Sequence, residues 1–136
     1  MAASYDFVEE EMKTVIATDA GARGVGPYSQ AIRANGLIFV SGQIPSDPET
    51  AAIVDGGIAP QTDRALRNVA AILTAAGSSM DKVVRCTVFL TNMSDFSSMN
   101  EVYATFFPEN PPARTTVAVA QLPKDALIEI QATAVE

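Results

Sequence analysis

The feature that most restricts the fold is Asn35-Gly36, set between two apolar runs, Gln30 to Ala34 and Leu37 to Ser41. Both residues accept positive φ cheaply, as the two-residue type I′ turn requires, so the segment predicts an antiparallel β-hairpin. Ahead of it, Lys13 to Ala17 is a short β-prone run and Thr18 to Pro27 a Gly-rich loop.

Beyond the hairpin, Pro45 to Gly57 holds two prolines, two glycines and several acids, which suits an exposed loop. The period then changes. Ala65, Leu66, Val69, Ile72, Leu73 and Ala76 recur at helical spacing, with Asp63 placed in the first turn and Gly77 where a C-terminal cap belongs, predicting a helix over 62–76. Lys82 to Thr91 alternates, with Val84, Cys86, Val88 and Leu90 on one face and Arg85, Thr87 and Phe89 on the other, so it reads as a strand. Ser94-Asp95 opens a second helix whose stripe is Phe96, Met99, Val102, Tyr103 and Phe106, ended by Pro108, Pro111 and Pro112.

Two last strands follow, 114–122 and 127–135, separated by Pro123-Lys124-Asp125. In the final strand Ile128, Ile130, Ala132 and Ala134 share one face while Leu127, Glu129, Gln131 and Thr133 share the other. The order predicts an α+β fold, a mixed sheet with both helices on one face and the other face in need of cover.

Composition narrows the function. Nine basic against sixteen acidic residues give a formal charge of −7, so there is no basic field to gather phosphates, and nucleic acid is disfavoured as a partner. The chain has one cysteine, Cys86, and no histidine, which removes internal disulfides, the usual zinc ligands and any Cys/His nucleophile pair. Cys86 reads as a buried structural thiol. The first twelve residues carry Asp6, Glu9, Glu10 and Glu11 and no base, so 1–12 is expected to be a disordered acidic leader ahead of one domain over 13–136. No targeting segment or run of about 18 apolar residues is present, and a soluble cytoplasmic protein without membrane partners is expected.

Chemistry must therefore come from carboxylates, Arg, Tyr and backbone. Glu129 stands inside a strand between two apolar β-branched residues, where it is either a working carboxylate or an edge-strand, solvent-facing acid. Arg114 follows Pro111-Pro112-Ala113, a stiff lead that suits a fixed guanidinium fork, although a surface ion pair would explain it too. Tyr28, in the turn Gly26-Pro27-Tyr28, either faces a small ligand or covers a core edge. Ser41-Gly42 lets a ligand approach the backbone, as plain turn geometry also would, and Asn100 either points an amide into a pocket or flanks the core.

The segments Gly26-Pro27-Tyr28-Ser29-Gln30-Ala31, Val40-Ser41-Gly42-Gln43-Ile44-Pro45, Pro112-Ala113-Arg114-Thr115-Thr116-Val117, Leu122-Pro123-Lys124-Asp125 and Ile128-Glu129-Ile130 resemble, in order and spacing, the RidA/YjgF family of reactive-intermediate deaminases, also called endoribonuclease L-PSP. The resemblance runs from about residue 13 to the C-terminus. It implies a chorismate-mutase-like YjgF-type sheet with two helices on one face, assembled as a homotrimer with ligand clefts between subunits. It implies hydrolysis of 2-iminopropanoate and 2-iminobutanoate to 2-keto acids and ammonia, with no metal or organic cofactor. Arg114 would hold the substrate carboxylate and Glu129 would move protons. Tyr28, Ser41, Gly42 and Asn100 would line the cleft, and the backbone carbonyl near Thr116 would serve the imine nitrogen. Many relatives have Cys where this chain has Thr116, which removes any thiol regulation there. Family members also carry other roles, so an endoribonuclease or translation inhibitor, or a non-catalytic small-ligand-binding or chaperone-like trimer, is the alternative.

Overall fold

A computed structural model of the chain describes residues 12–136. Six strands form one sheet in the order β1-β2-β3-β6-β4-β5. β1 is Thr14–Ile16, β2 is Ala31–Ala34, β3 is Leu37–Gln43, β4 is Val83–Leu90, β5 is Ala113–Ala118 and β6 is Ile128–Val135. The helices are α1, Ile58–Ala75, and α2, Phe96–Phe106. All neighbours are antiparallel except β4 and β5, which run parallel and are joined through α2. Most of the expected 1–12 leader lies outside the described residues.

The Asn35-Gly36 turn forms as its chemistry dictates, with φ of 51° and 76°, and β2 pairs β3 across it. Ile38 and Val40 of β3, Cys86, Val88 and Leu90 of β4, and Ile128, Ile130, Ala132 and Ala134 of β6 all point into one core with Leu66, Val69, Ile72 and Leu73 of α1 and Met99 and Tyr103 of α2. One core holding both helices means that both lie on the same sheet face. The opposite face is left open, and Val15, Phe39 and Val117 stand exposed on it at 59%, 45% and 38%.

Four expectations need correction. α1 starts at Ile58, four residues before the expected Thr62, because Pro60 falls in the first turn, where its missing N–H breaks no helical bond. Asp63 accordingly sits beyond the first turn and pairs with Arg67 at 2.7 Å instead. At the other end, Gly77 at φ 81° lets Ser78 N–H reach Leu73 O (2.9 Å) and Gly77 N–H reach Thr74 O (3.0 Å), the Schellman pattern.

Val84 does not face the core: it is 46% exposed, since a register shift against β6 makes it the extra residue between Val83 and Arg85. β5 is shorter than 114–122, because its single partner β4 ends at Leu90 and leaves 119–122 nothing to pair with beyond one bond from Val119 N–H to Leu90 O. The 45–57 loop is tied down by an isolated bridge between Ser46 and Ile53, and the buried Asn68 amide donates to Ser46 O at 2.9 Å. Among the described residues no helix is long and apolar enough to cross a membrane.

Candidate functional site

A cleft of about 450 Å³ opens on the uncovered sheet face, and Tyr28, Ser41, Gly42 and Glu129 line it. Its floor comes from an irregularity in β3: Val40 pairs Ala132 and Gln43 pairs Ile130, so Ser41 and Gly42 together oppose Gln131 alone. This bulge re-aims the chain next to Glu129. A Cβ on Gly42 would stand 2.9 Å from Glu129 Cδ and 3.1 Å from its Oε1, so the absent side chain is the space the carboxyl occupies.

Tyr28 is placed by its own loop. Gln30 holds 18–22 by accepting from Thr18 N–H at 2.7 Å and donating to Ala22 O at 2.9 Å. Ser41 Oγ donates to Ser29 O at 2.6 Å, joining the Tyr28 turn to β3. The Tyr28 hydroxyl accepts from Val25 N–H at 3.2 Å, and a Cβ on Gly24 would collide with the tyrosine ring at 2.7 Å. Two glycines flanking Val25 thus let the loop close over the ring.

Glu129 is half-buried, and burial raises its pKa above the ordinary 4.5. None of the ion pairs among the described residues includes it. A carboxyl in that setting holds a proton more readily than a solvated one. Ile44 and Phe89 add apolar wall, and Gln131, two residues along the same strand face, brings an uncharged amide.

Arg114 lies elsewhere. In the parallel β4–β5 register Cys86 pairs Arg114 and Val88 pairs Thr116, so Arg114 and Thr116 point to the helix side, whereas Glu129 opposes Phe89 and points to the open side. Arg114 and Asn100 line a second recess between α2 and β5. The guanidinium carbon stands over the Tyr103 ring at 4.7 Å and the Phe96 ring at 5.6 Å. Asn100 Oδ1, the Tyr103 hydroxyl and Thr116 Oγ1 are buried on this side of the sheet with no well-formed hydrogen bond among the described residues, the Tyr103 oxygen lying near the Cys86 thiol and the Arg114 guanidinium. Burial, and next to it Cys86, pushes the Tyr103 phenol well above its ordinary value; burial likewise raises the Cys86 thiol. Among the described residues no cluster of three or more acidic, Cys or His side chains is arranged to hold a metal.

The seven candidates therefore form two sets in one chain: Tyr28, Ser41, Gly42 and Glu129 on the open face, Arg114, Asn100 and Thr116 on the helix face at the β5 edge. The alternation of β4 and β6 already puts Phe89 on the face away from the core and Gln131 on the face of Glu129, although neither is singled out as a site residue from sequence. Sequence reading took Phe96 and Tyr103 for plain core stripe; Asn100 lies between them on α2, and that spacing was the available signal.

Residues 20–136 match the family model described as Endoribonuclease L-PSP. A RutC family protein of Pyrococcus horikoshii is 54% identical over 123 residues, covering 90% of this chain and 98% of its own. The human 2-iminobutanoate/2-iminopropanoate deaminase is 42% identical over 125 residues, 92% of this chain and 91% of its own. The crystal structure of the YjgF gene product from E. coli superposes with a TM-score of 0.86 at 41% identity, covering 90% of this chain and 98% of that one. Sequence, sheet order and helix placement converge, and the chain belongs to the RidA/YjgF family.

Proposed function

We propose that this protein hydrolyses small 2-imino acids, such as 2-iminopropanoate and 2-iminobutanoate, to 2-keto acids and ammonia. The observation that carries the reading is the half-buried Glu129 carboxyl, in no ion pair among the described residues, facing the Tyr28–Gly42 cleft in a chain without histidine. The name of the human relative supports the substrate class.

Such a substrate is anionic at C1 and electrophilic at C2. Arg114 grips the carboxylate through two parallel N–H···O bonds and so fixes C2. A backbone carbonyl near Thr116 accepts from the imine N–H and favours the iminium. Water adds to C2: the C–O bond forms, the C=N π pair moves to nitrogen, and Glu129 takes the proton that water loses. Glu129 then returns that proton to the amino group, the C–N bond breaks, and the hydroxyl proton leaves with ammonia as ammonium. Tyr28 and the apolar wall of Ile44 and Phe89 limit the substituent at C3.

Arg114 and Glu129 point to opposite sides of one sheet, so the reaction needs a second copy to bring its Arg114 edge against the Glu129 cleft. A homotrimer does this and covers Val15, Phe39 and Val117. The chain's own groups and water suffice for every step.

The test generates 2-iminobutanoate from threonine with a dehydratase and traps it with semicarbazide. Wild type is expected to lower the semicarbazone signal and Arg114→Ala not to. Co-refolding inactive Arg114→Ala with inactive Glu129→Gln is expected to restore part of the activity, because some interfaces then hold one intact half from each chain. Wild type indistinguishable from buffer rejects the activity; an active wild type whose variants never complement rejects the shared site.

A further inference from the structure

The recess around Arg114 holds a feature that the proposed chemistry does not use. Of the six arginines, three pair with carboxylates, Arg23 with Asp19 at 2.9 Å, Arg33 with Glu136 at 3.1 Å and Arg67 with Asp63 at 2.7 Å, and Arg64, Arg85 and Arg114 form no ion pair among the described residues. Arg114 lies instead over two aromatic rings of α2. Phe96, Asn100 and Tyr103 occupy positions i, i+4 and i+7 of that helix, one face turned toward β5. The Tyr103 ring is fixed from behind by Phe107, with centroids 4.8 Å apart and planes at 43°.

We propose that Tyr103, assisted by Phe96, is a positioning residue that holds the Arg114 guanidinium by its face, leaving the N–H edge presented to a small carboxylate. A planar cation has two kinds of surface. Its rim donates hydrogen bonds and its face carries none, so a ring under the face restrains the group without spending a donor. An acidic partner would restrain it as well, but would occupy the fork that the ligand needs.

The tyrosine hydroxyl argues against a filler role. Its oxygen and Asn100 Oδ1 make no well-formed hydrogen bond among the described residues, and the Cys86 thiol and the Arg114 guanidinium lie near the hydroxyl, neighbours that phenylalanine would not engage. Tyr103 and Asn100 line the same recess as Arg114 and stand ready for a ligand or a water bound to it. The inference rests on reading Arg114 as the carboxylate clamp, and its test is arranged to fail separately from that reading.

The variants are Tyr103→Leu, which keeps bulk and removes the ring face, Tyr103→Phe, which keeps the face, and Phe96→Leu. The first readout is the Arg114 Nε–H resonance in ¹⁵N-labelled protein, assigned by its absence in Arg114→Lys. Ring currents should move it upfield in wild type and Tyr103→Phe, and Tyr103→Leu should return it to the free-arginine position. The second readout is affinity for 2-oxobutanoate by titration, expected to weaken about tenfold in Tyr103→Leu, with KM rising more than kcat falls.

A folded Tyr103→Leu protein with the wild-type Arg114 resonance and wild-type affinity overturns the proposal. If Tyr103→Leu does not fold, Phe96→Leu decides by the same two readouts, with a smaller shift and a loss of about threefold expected. If wild type neither binds 2-oxobutanoate nor consumes imine, the deaminase reading fails, and the Arg114 resonance alone still decides whether Tyr103 holds the guanidinium.

Discussion

Replacing Gly42 by alanine tests the placement of Glu129 more directly than replacing Glu129 itself. The new Cβ would stand 2.9 Å from Glu129 Cδ and 3.1 Å from Cγ and Oε1. Carbon atoms settle at about 3.5–4.0 Å, so the carboxyl must withdraw by roughly 0.6–1 Å. A misplacement of about 1 Å at a reacting group costs on the order of a hundredfold in rate, or about 2.7 kcal/mol of transition-state stabilisation. Folding stability should barely respond. Gly42 is not among the positive-φ glycines, and the group it displaces is the end of a flexible, half-exposed side chain that can swing toward the cleft. Lower chain entropy in the unfolded state returns about 0.4–1 kcal/mol. Gly42→Ala is therefore expected to lose about two orders of magnitude in kcat/KM in the semicarbazide assay while its Tm stays within a few degrees of wild type. A shorter acid, Glu129→Asp, should suffer less from the added methyl, so the two changes combined should be non-additive. Full turnover in a folded Gly42→Ala protein would refute the reasoning, since it would show that the carboxyl need not occupy the space the glycine leaves.

Glu129→Gln is expected to keep 2-oxobutanoate binding and slow turnover by about a hundredfold to ten-thousandfold, read as kcat against Kd. The same variant has a pH signature in stability. Because burial raises the Glu129 pKa, folded and unfolded chains both hold the proton well below 4.5, and the cost of the buried charge grows as pH rises through the folded value. Gln should thus stabilise relative to wild type at pH 7 and not at pH 3; a Tm difference that shrinks with rising pH would contradict the burial argument. Arg114→Lys is expected to raise KM strongly, because a point charge does not reproduce a two-pronged contact, and steady-state kinetics on imine decides it. Cys86 is 1% exposed with its thiol pKa raised by burial, so the native protein should not react with a thiol reagent over minutes and should react fully once unfolded in denaturant.

Local chemistry made several elements legible in advance. Asn35-Gly36 imposed its hairpin, the Ala65–Ala76 stripe its helix and the Ile128–Ala134 alternation its strand, because each is decided by dihedral preference or by a period within a few residues. The failures have non-local causes. Val84 was assigned to the core because strict alternation puts it there, and the bulge against β6 that overturns this depends on a strand fifty residues away. The start of α1 lies ahead of the Ala65–Ala76 stripe, at residues whose helical state that period does not report, with Pro60 tolerated in the first turn.

The site divides in the same way. That Glu129 shares a strand face with Gln131, and that Arg114 follows a stiff Pro-Pro lead, belong to the sequence alone, since each follows from side chains adjacent along the chain. Which sheet face each of them serves does not. It depends on β6 inserting antiparallel between β3 and β4, on β5 lying parallel to β4, and on the pairings Phe89–Glu129 and Cys86–Arg114, which turn the carboxyl toward the open face and the guanidinium under α2. The sequence by itself determined the family, the elements and the identity of the chemical groups. Only the tertiary structure decided that the two charged groups part company within one chain, because a strand's neighbours and register are chosen by burial summed over the whole sheet and not by any segment of it.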